Sequence, residues 1–354
     1  MKSTICVAED RETCEPCLKL LLSSLKAHDS ERTISLFYPP AKDRFFKWIE
    51  KCPAVQIQTS PLKDGYGWNV KPQAIMQLLD QGFDEVIWID SDVIVTQDLA
   101  PIFSKLDSGT VVVTEHTLAE ERDDRNALRA RSWGLPVGRT FPFALSSGVV
   151  RVTRDSYRLM ERWWELLQSE KYQAAQRVPW QKRPSHLLGD QDVLTALLSS
   201  QEFSHVPVQI LRRGRHIIQF DGVYGYTVAE RMRNLLHDGP VFVHSGAGKP
   251  WSEGWKLGST NFLRGYIKYV YLDVSPYTLS AIRFRDELDC PTEWMEPHYV
   301  LSRILRATGM QYAPLVGFPM AVFADLARAA RYVTNSFRSN ISHLESGLQS
   351  TDKQ

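Results

Sequence analysis

The 354-residue chain is 43% hydrophobic and 23% charged, a balance that excludes wholesale disorder and allows one large core with an appendage. Its 42 Lys and Arg against 41 Asp and Glu leave a net charge of +1, without the global positive field of a nucleic-acid binder, so no nucleic-acid partner is expected. Cys6, Cys14, Cys17, Cys52 and Cys290 are an odd set that makes no secreted disulfide framework and fits reduced thiols in a cytosol.

Taken from the N-terminus, Met1 to Thr4 leads straight into a β-branched strand, Thr4 to Val7, with no signal-peptide pattern. A helix is predicted from about Glu15 to Ala27, with the C-x-x-C of Cys14 and Cys17 at its start; no second pair or His tract completes a zinc site. Strand Thr33 to Tyr38, helix Arg44 to Cys52 and short strand Val55 to Ile57 follow. Pro72 opens a helix that runs to Gln81 and stops at Gly82, and Glu85 to Ile89 reads as a fully buried strand. This alternation predicts an α/β fold, with a mostly parallel central sheet and helices on both faces.

Further along, Thr110 to Thr114 and Gly148 to Val152 read as strands. The charged stretch Glu120 to Arg131 between them reads as a mobile segment or short helix over the site. A helix from Ser156 to Glu170 carries Trp163 and Trp164 as packing residues, and Val241 to Val243 is another strand. Beyond it the chain turns helical and basic. No window reaches the roughly 18 apolar residues of a membrane helix; the longest apolar run, Leu315 to Phe323, contains Pro319.

Three clusters carry chemistry. Asp90-Ser91-Asp92 follows the apolar run Val86 to Ile89, where the carboxyl end of a sheet strand collects ligands, and two carboxylates one residue apart can hold Mg²⁺ or Mn²⁺ against a diphosphate. Alone, such a pair can equally cap a helix. His244 to Trp251 (H-S-G-A-G-K-P-W) packs an imidazole, two glycines and an ammonium into one loop. Gly246 and Gly248 permit close backbone approach to phosphate and Lys249 supplies a compact cation; read singly, His244 is a packed strand-end histidine and Lys249 a surface lysine. Gly189-Asp190-Gln191-Asp192 precedes the helical run Val193 to Leu198, so Asp190 serves as an N-cap, a sugar-hydroxyl ligand, or both.

Together these motifs resemble glycosyltransferase family 8 and its GT-A-fold relatives, which include bacterial lipopolysaccharide galactosyl- and glucosyltransferases and glycogenin. The resemblance spans roughly positions 5 to 251 and includes Asp98-Leu99 and Phe103 after the acidic pair, and Ser147-Gly148-Val149. It implies a GT-A (Rossmann-like) nucleotide-diphospho-sugar transferase fold, with a catalytic domain over 1–272 and a helical C-terminal extension over 273–354. It further implies a metal-dependent, retaining transfer of a hexose from a UDP-hexose to a glycan or glycolipid acceptor, in polysaccharide biosynthesis. Asp90, Asp92 and His244 would coordinate Mn²⁺ (or Mg²⁺), with Ser91 between the carboxylates on the donor side. Lys249 and the Gly246 to Gly248 backbone would grip the diphosphate. Ala8 and Asp10 would lie near base and ribose, Lys71 would face the donor, Asp190 would hold the sugar, and Gln191 would lie beneath the anomeric carbon. As Gln191 is a poor nucleophile, front-side displacement follows.

The chain departs from that pattern twice. Ser146-Ser147-Gly148 stands where many relatives have Asn-Ala-Gly or Asn-Ser-Gly, putting a hydroxyl in place of an amide near the donor sugar. Arg11 to Cys14 lacks the usual aromatic beside the base. The stretch Trp68 to Ala74 is also similar to fungal-type α-mannosyltransferases, whose donor would be GDP-mannose. Two competing readings remain: a catalytically silent nucleotide-sugar-binding protein on the same fold, and a haloacid-dehalogenase-type phosphatase with Asp90 as nucleophile, which would want a carboxylate where Leu194 stands. Basic amphipathic character over Tyr312 to Val333 matches either a packed helical cap or a peripheral contact with the inner face of the membrane. A cytoplasmic location is expected.

Overall fold

The computed structural model describes residues 2–62, 67–116, 123–220, 225–237, 239–246, 248–252 and 262–330, with backbone alone at 123–126 and 262–264. Glu120 to Arg122 of the charged stretch, Ala247 of the glycine loop and 331–354 of the C-terminal extension lie outside the described residues.

The elements run β1 (Ser3–Ala8), α1 (Glu15–His28), β2 (Thr33–Phe37), α2 (Asp43–Ile49), β3 (Val55–Ile57), α3 (Lys71–Asp80), β4 (Glu85–Ile89) and β5 (Val93–Val95). Then come α4 (Ala100–Phe103), β6 (Val111–Glu115), α5 (Asp123–Ser132), β7 (Leu145–Thr153), α6 (Tyr157–Gln168), α7 (Glu170–Gln176), α8 (Asp190–Ser199), β8 (Val208–Leu211), β9 (Ile217–Gln219), α9 (Val228–Leu236) and β10 (Phe242–His244). Helices α10 (Phe262–Asp273), α11 (Pro276–Ala281) and α12 (Val300–Thr308) follow, and 318–330 are helical.

Seven strands form one sheet in the order β3-β2-β1-β4-β7-β6-β8. Its pairs are parallel except β4 with β7 and β7 with β6, so the mostly parallel α/β sheet predicted from the alternation is present. Period-2 geometry sorts β4 between two cores. Val86 and Trp88 pack with Ile75 and Leu78 of α3 and Trp163 of α6; Ile87 and Ile89 pack with Leu18 and Leu22 of α1, Trp48 of α2 and Phe242 of β10. Burial on both faces explains the unbroken apolar run, and the helices lie on both faces accordingly. Gly82, at φ +96°, ends α3 in the left-handed conformation that glycine adopts without a Cβ penalty.

Strands β5, β9 and β10 form a second sheet with β10 in the middle, antiparallel to β5 and parallel to β9. Its register pairs His244 with Val93. The chain after residue 272 packs onto this sheet: Tyr277 and Ala281 of α11, with Phe284 and Met295, share a cluster with Ile94, Val243, Cys14 and Cys17. No helix among the described residues is long and apolar enough to cross a membrane.

Candidate metal centre and its surroundings

Because β1 and β4 are parallel neighbours, Ala8, Asp10 and Asp90 all emerge at one edge of the sheet. The Asp90 amide donates to the Gly148 carbonyl at 2.9 Å, continuing the β4–β7 pairing one residue past the strand. On the other side, the Ser245 amide donates to the Asp92 carbonyl at 3.1 Å, tying the turn after β4 to the end of β10. These two backbone ties bring Asp90, Asp92 and His244 together. One ligand atom from each lies within 4.8 Å of the others. His244 Nε2 is 3.2 Å from Asp92 Oδ1 and 3.9 Å from Asp90 Oδ2.

Two carboxylates and an imidazole at that spacing fit a hard or borderline divalent cation such as Mn²⁺ or Mg²⁺. His244 Nδ1 is buried without a hydrogen-bond partner among the described residues, which leaves the ring's polar contacts there on its Nε2 side. Gly148 makes room for that ring, since a Cβ there would stand 3.1 Å from His244 Cε1.

Two ammonium groups neutralise the carboxylates. Lys249 donates to Asp92 Oδ2 and to the carbonyls of Ser245 and Gly246. Lys71, almost fully buried, is 3.0 Å from Asp90 Oδ1 and 3.3 Å from Asp190 Oδ2, and it donates to Ser147 Oγ at 2.8 Å. Burial works to raise the Asp92 carboxyl, yet Lys249 and His244 hold it well below the usual carboxylate range. Burial works to lower Lys71 and His244, and in both the facing carboxylates win and the pKa rises. Asp190 goes the other way: burial raises it against Lys71 and Ser147.

Asp190 opens α8 and accepts from Ser147 Oγ at 2.6 Å, while its own carbonyl accepts from Trp163 Nε1 at 2.9 Å. The cap position itself belongs to Gly189, whose amide donates to Asp192 Oδ2 at 3.1 Å. This corrects the reading of Asp190 as N-cap. Its side chain is free of that duty and faces Lys71. Leu194 is buried in the core.

The remaining predicted residues divide. Gly246 enters the site through its carbonyl on Lys249, and Gly248 through its carbonyl, which accepts from Ser245 Oγ. Ser146 lies in β7 with its Oγ 3.3 Å from the Gly148 amide. Ser91 turns its hydroxyl away from the acidic pair to Glu9 Oε2 at 2.6 Å. Asp10 is exposed and accepts from the Gly67 amide at 2.7 Å. Ala8 packs against the core on the α3 side of the sheet.

Two residues escaped the sequence reading. His116, just past β6, stands with its Nε2 2.9 Å from Gln191 Nε2, and no motif marks it. Glu9 lies between two residues that were marked. Its carboxylate, Cys14 and Cys17 form a second group with ligand atoms within 4.8 Å. However, both Glu9 oxygens are already engaged by Ser91, the Arg11 guanidinium and the Asp10 and Arg11 amides. That saturation identifies Glu9 as a strut beneath the acidic turn.

No family model and no curated protein matches the chain in sequence. Among solved structures it is similar to the galactosyltransferase LgtC in complex with donor and acceptor sugar analogs, at 16% identity over 80% of this chain and 100% of that one, with a TM-score of 0.49. It is also similar to the bifunctional glycosyltransferase WbbM, at 13% identity over 79% of this chain and 51% of that one, TM-score 0.45. A third is a glycosyltransferase involved in glycosylation of the major capsid of PBCV-1, at 13% identity over 70% and 95%, TM-score 0.41. All three are glycosyltransferases.

Proposed function

We infer that this protein is a metal-dependent glycosyltransferase of the GT-A type, moving a hexose from a nucleotide sugar, a UDP-hexose in the simplest reading, to a glycan or glycolipid acceptor with retention. The observation that carries this is the meeting of Asp90, Asp92 and His244 within 4.8 Å at the carboxyl edge of a parallel sheet, with an ammonium on either side. Asp90, Asp92 and His244 would hold Mn²⁺ or Mg²⁺, which supplies Lewis-acid stabilisation of a leaving diphosphate.

The chain's own groups do the rest. Lys249, poised on Asp92, adds positive charge where the departing phosphate gathers its negative charge. Lys71 and Ser147 fix the Asp190 carboxylate, which accepts hydrogen bonds from donor-sugar hydroxyls. Gln191, in the first turn of α8, presents a neutral amide, so it stabilises developing positive charge on the sugar without forming a bond to it. The acceptor oxygen bonds to the anomeric carbon as the bond to the diphosphate breaks, and the acceptor proton passes to the leaving phosphate oxygen.

The test is a panel of UDP- and GDP-sugars with Mn²⁺, scored for hydrolysis, transfer and thermal shift. Asp92→Ala is expected to lose about 10²- to 10³-fold in turnover, the cost of removing one oriented electrostatic contact. Metal-dependent turnover that survives in this variant overturns the reading. Binding without any turnover would identify a silent sugar-nucleotide receptor instead.

The C-terminal helices are read as a peripheral face for the inner leaflet. Val300 is 69% exposed and Phe323 75%, and Arg303, one turn on from Val300 in α12, is exposed as well. Exposed apolar side chains with an arginine on the same helix suit an anionic surface. Failure to co-sediment with anionic vesicles would dismiss this part of the reading and leave the transferase untouched.

A further inference from the structure

Away from the candidate metal centre, a cavity of about 340 Å³ opens between the chain at 282–297 and helix α12. Its charged lining is Arg285, Arg303 and Arg306 against a single acid, Glu296. Glu296 accepts from Arg285 at 2.6 Å, so one guanidinium is matched and two are not.

The donors are unevenly spent. Arg306 is buried and gives its hydrogen bonds to main-chain carbonyls, those of Asp273 and Met295. Arg285 Nε is buried with no hydrogen-bond partner among the described residues. Among the described residues Arg303 reaches only the Pro297 carbonyl, at 3.5 Å. A guanidinium fork binds planar or tetrahedral oxyanions through paired N–H groups, and here Arg303 faces the cavity without a carboxylate while Arg285, paired with Glu296 through Nη1, keeps its Nε unspent.

The backbone at the rim is also unusual. Met310 and Gln311, neither of them glycine, adopt φ of +50° and +54°, and Gln311 lines the cavity. They close the C-terminus of α12, the Met310 amide donating to the Ala307 carbonyl at 3.1 Å and the Gln311 amide to the Arg306 carbonyl at 3.0 Å, and this cap holds Gln311 at the rim. On α12, Val300, Leu301 and Ile304 are exposed, a path along which an apolar tail would leave the cavity.

We propose that this cavity is a binding site for a phosphate or diphosphate group, carried either by a free anion or by a lipid headgroup. It stands independently of the transferase reading. The site takes oxyanions through Arg303 and Arg285, with Arg306 as a fixed positive wall.

The test is calorimetric titration of the full chain in EDTA, which removes cation-dependent binding elsewhere. The probes are inorganic pyrophosphate, dihexanoyl phosphatidic acid below its micellar concentration, and dihexanoyl phosphatidylcholine as control. Wild type should bind pyrophosphate or phosphatidic acid saturably. Arg303→Glu, at an exposed position that leaves the fold intact, should weaken that binding roughly tenfold or more, as expected for a lost charge-assisted pair. Arg285→Gln should weaken it in the same direction, and nucleotide-sugar turnover should be unchanged in both. Tighter binding of phosphatidic acid assigns the site to a headgroup; equal or tighter binding of pyrophosphate assigns it to a free anion. Absence of saturable binding to both probes, or binding by both variants equal to wild type, overturns the proposal.

Discussion

The ammonium of Lys249 rests on the Asp92 carboxylate, on one of the side chains that would hold a cation. If Asp92 holds a divalent ion, as the proposed function has it, that ion would compete with this ammonium for one anion, and Lys249 would then be free to turn to the donor phosphates. Lys249→Ala should bind Mn²⁺ roughly three- to tenfold more tightly without nucleotide, while its donor affinity falls by a similar factor, in keeping with the strength of a charge-assisted contact. Titrations of free Mn²⁺, with and without UDP, read both effects. Weaker metal binding in the variant would mean that Lys249 supports the ion instead.

Gly148 controls the same centre from behind. The Cβ of Gly148→Ala would stand 3.1 Å from His244 Cε1 and 3.2 Å from Nδ1, pushing the imidazole out of line. Mn²⁺ affinity should drop about tenfold, in the range of changes that misorient metal ligands, with far-UV circular dichroism unchanged. Unaltered affinity would show that the ring does not contribute a ligand.

Lys71 is shared by Asp90, Asp190 and Ser147. Lys71→Met leaves buried carboxylates uncompensated and should cost about 3–5 kcal/mol of stability, measured by urea unfolding. Adding Asp190→Leu should restore part of that loss, since removing both ions is less costly than removing one.

His116 acts on Gln191. With the amide nitrogen of Gln191 donating to the ring, the amide oxygen is directed away from His116. His116→Ala frees the amide to rotate, so kcat should fall about tenfold for a misplaced group while the donor KM stays constant. A change confined to KM would place His116 in binding instead.

Asp192 offers a pH test. Burial raises its carboxyl to about 6 against the pull of Arg129, 3.0 Å away. A folded pKa above the unfolded value favours the protonated form in the fold. The associated stability is full below about pH 4 and is lost as pH rises through about 6, amounting to at most about 3 kcal/mol. Between pH 4 and 7 the melting temperature of wild type should therefore fall relative to Asp192→Asn. Parallel profiles would refute the assignment.

The α/β alternation, both faces of β4 and the clustering of Asp90, Asp92 and His244 were legible because strongly periodic or fully apolar segments and short motifs carry them. Strands β8 and β9 were not. At four and three residues, bordered by Arg212, Arg213 and Arg215, they have too little pattern to separate from a loop, and pairing with longer neighbours makes them strands. The antiparallel insertion of β7 was also hidden, since a strand's own residues do not record its direction. His116 and Glu9 were missed because each acts through one partner distant in sequence, Gln191 for one and Ser91 for the other. Of the two roles open to Asp190, that of cap falls to Gly189, whose amide is taken by Asp192 although it has no side chain of its own to cap with.

The pairing of β10 with β5 also has a kinetic meaning. Strand β5 begins one residue after Asp92, yet its partner enters only at Phe242, and Lys249 follows at 157 residues from Asp92. A ribosome that has made the acidic turn has made two of the three candidate ligands. The third joins them only when the late strand is zipped onto one made much earlier, so on the proposed function full cation affinity would mark a completed fold. In a chain truncated before His244, Mn²⁺ should find only the two carboxylates of Asp90 and Asp92 and bind more weakly than to the full set.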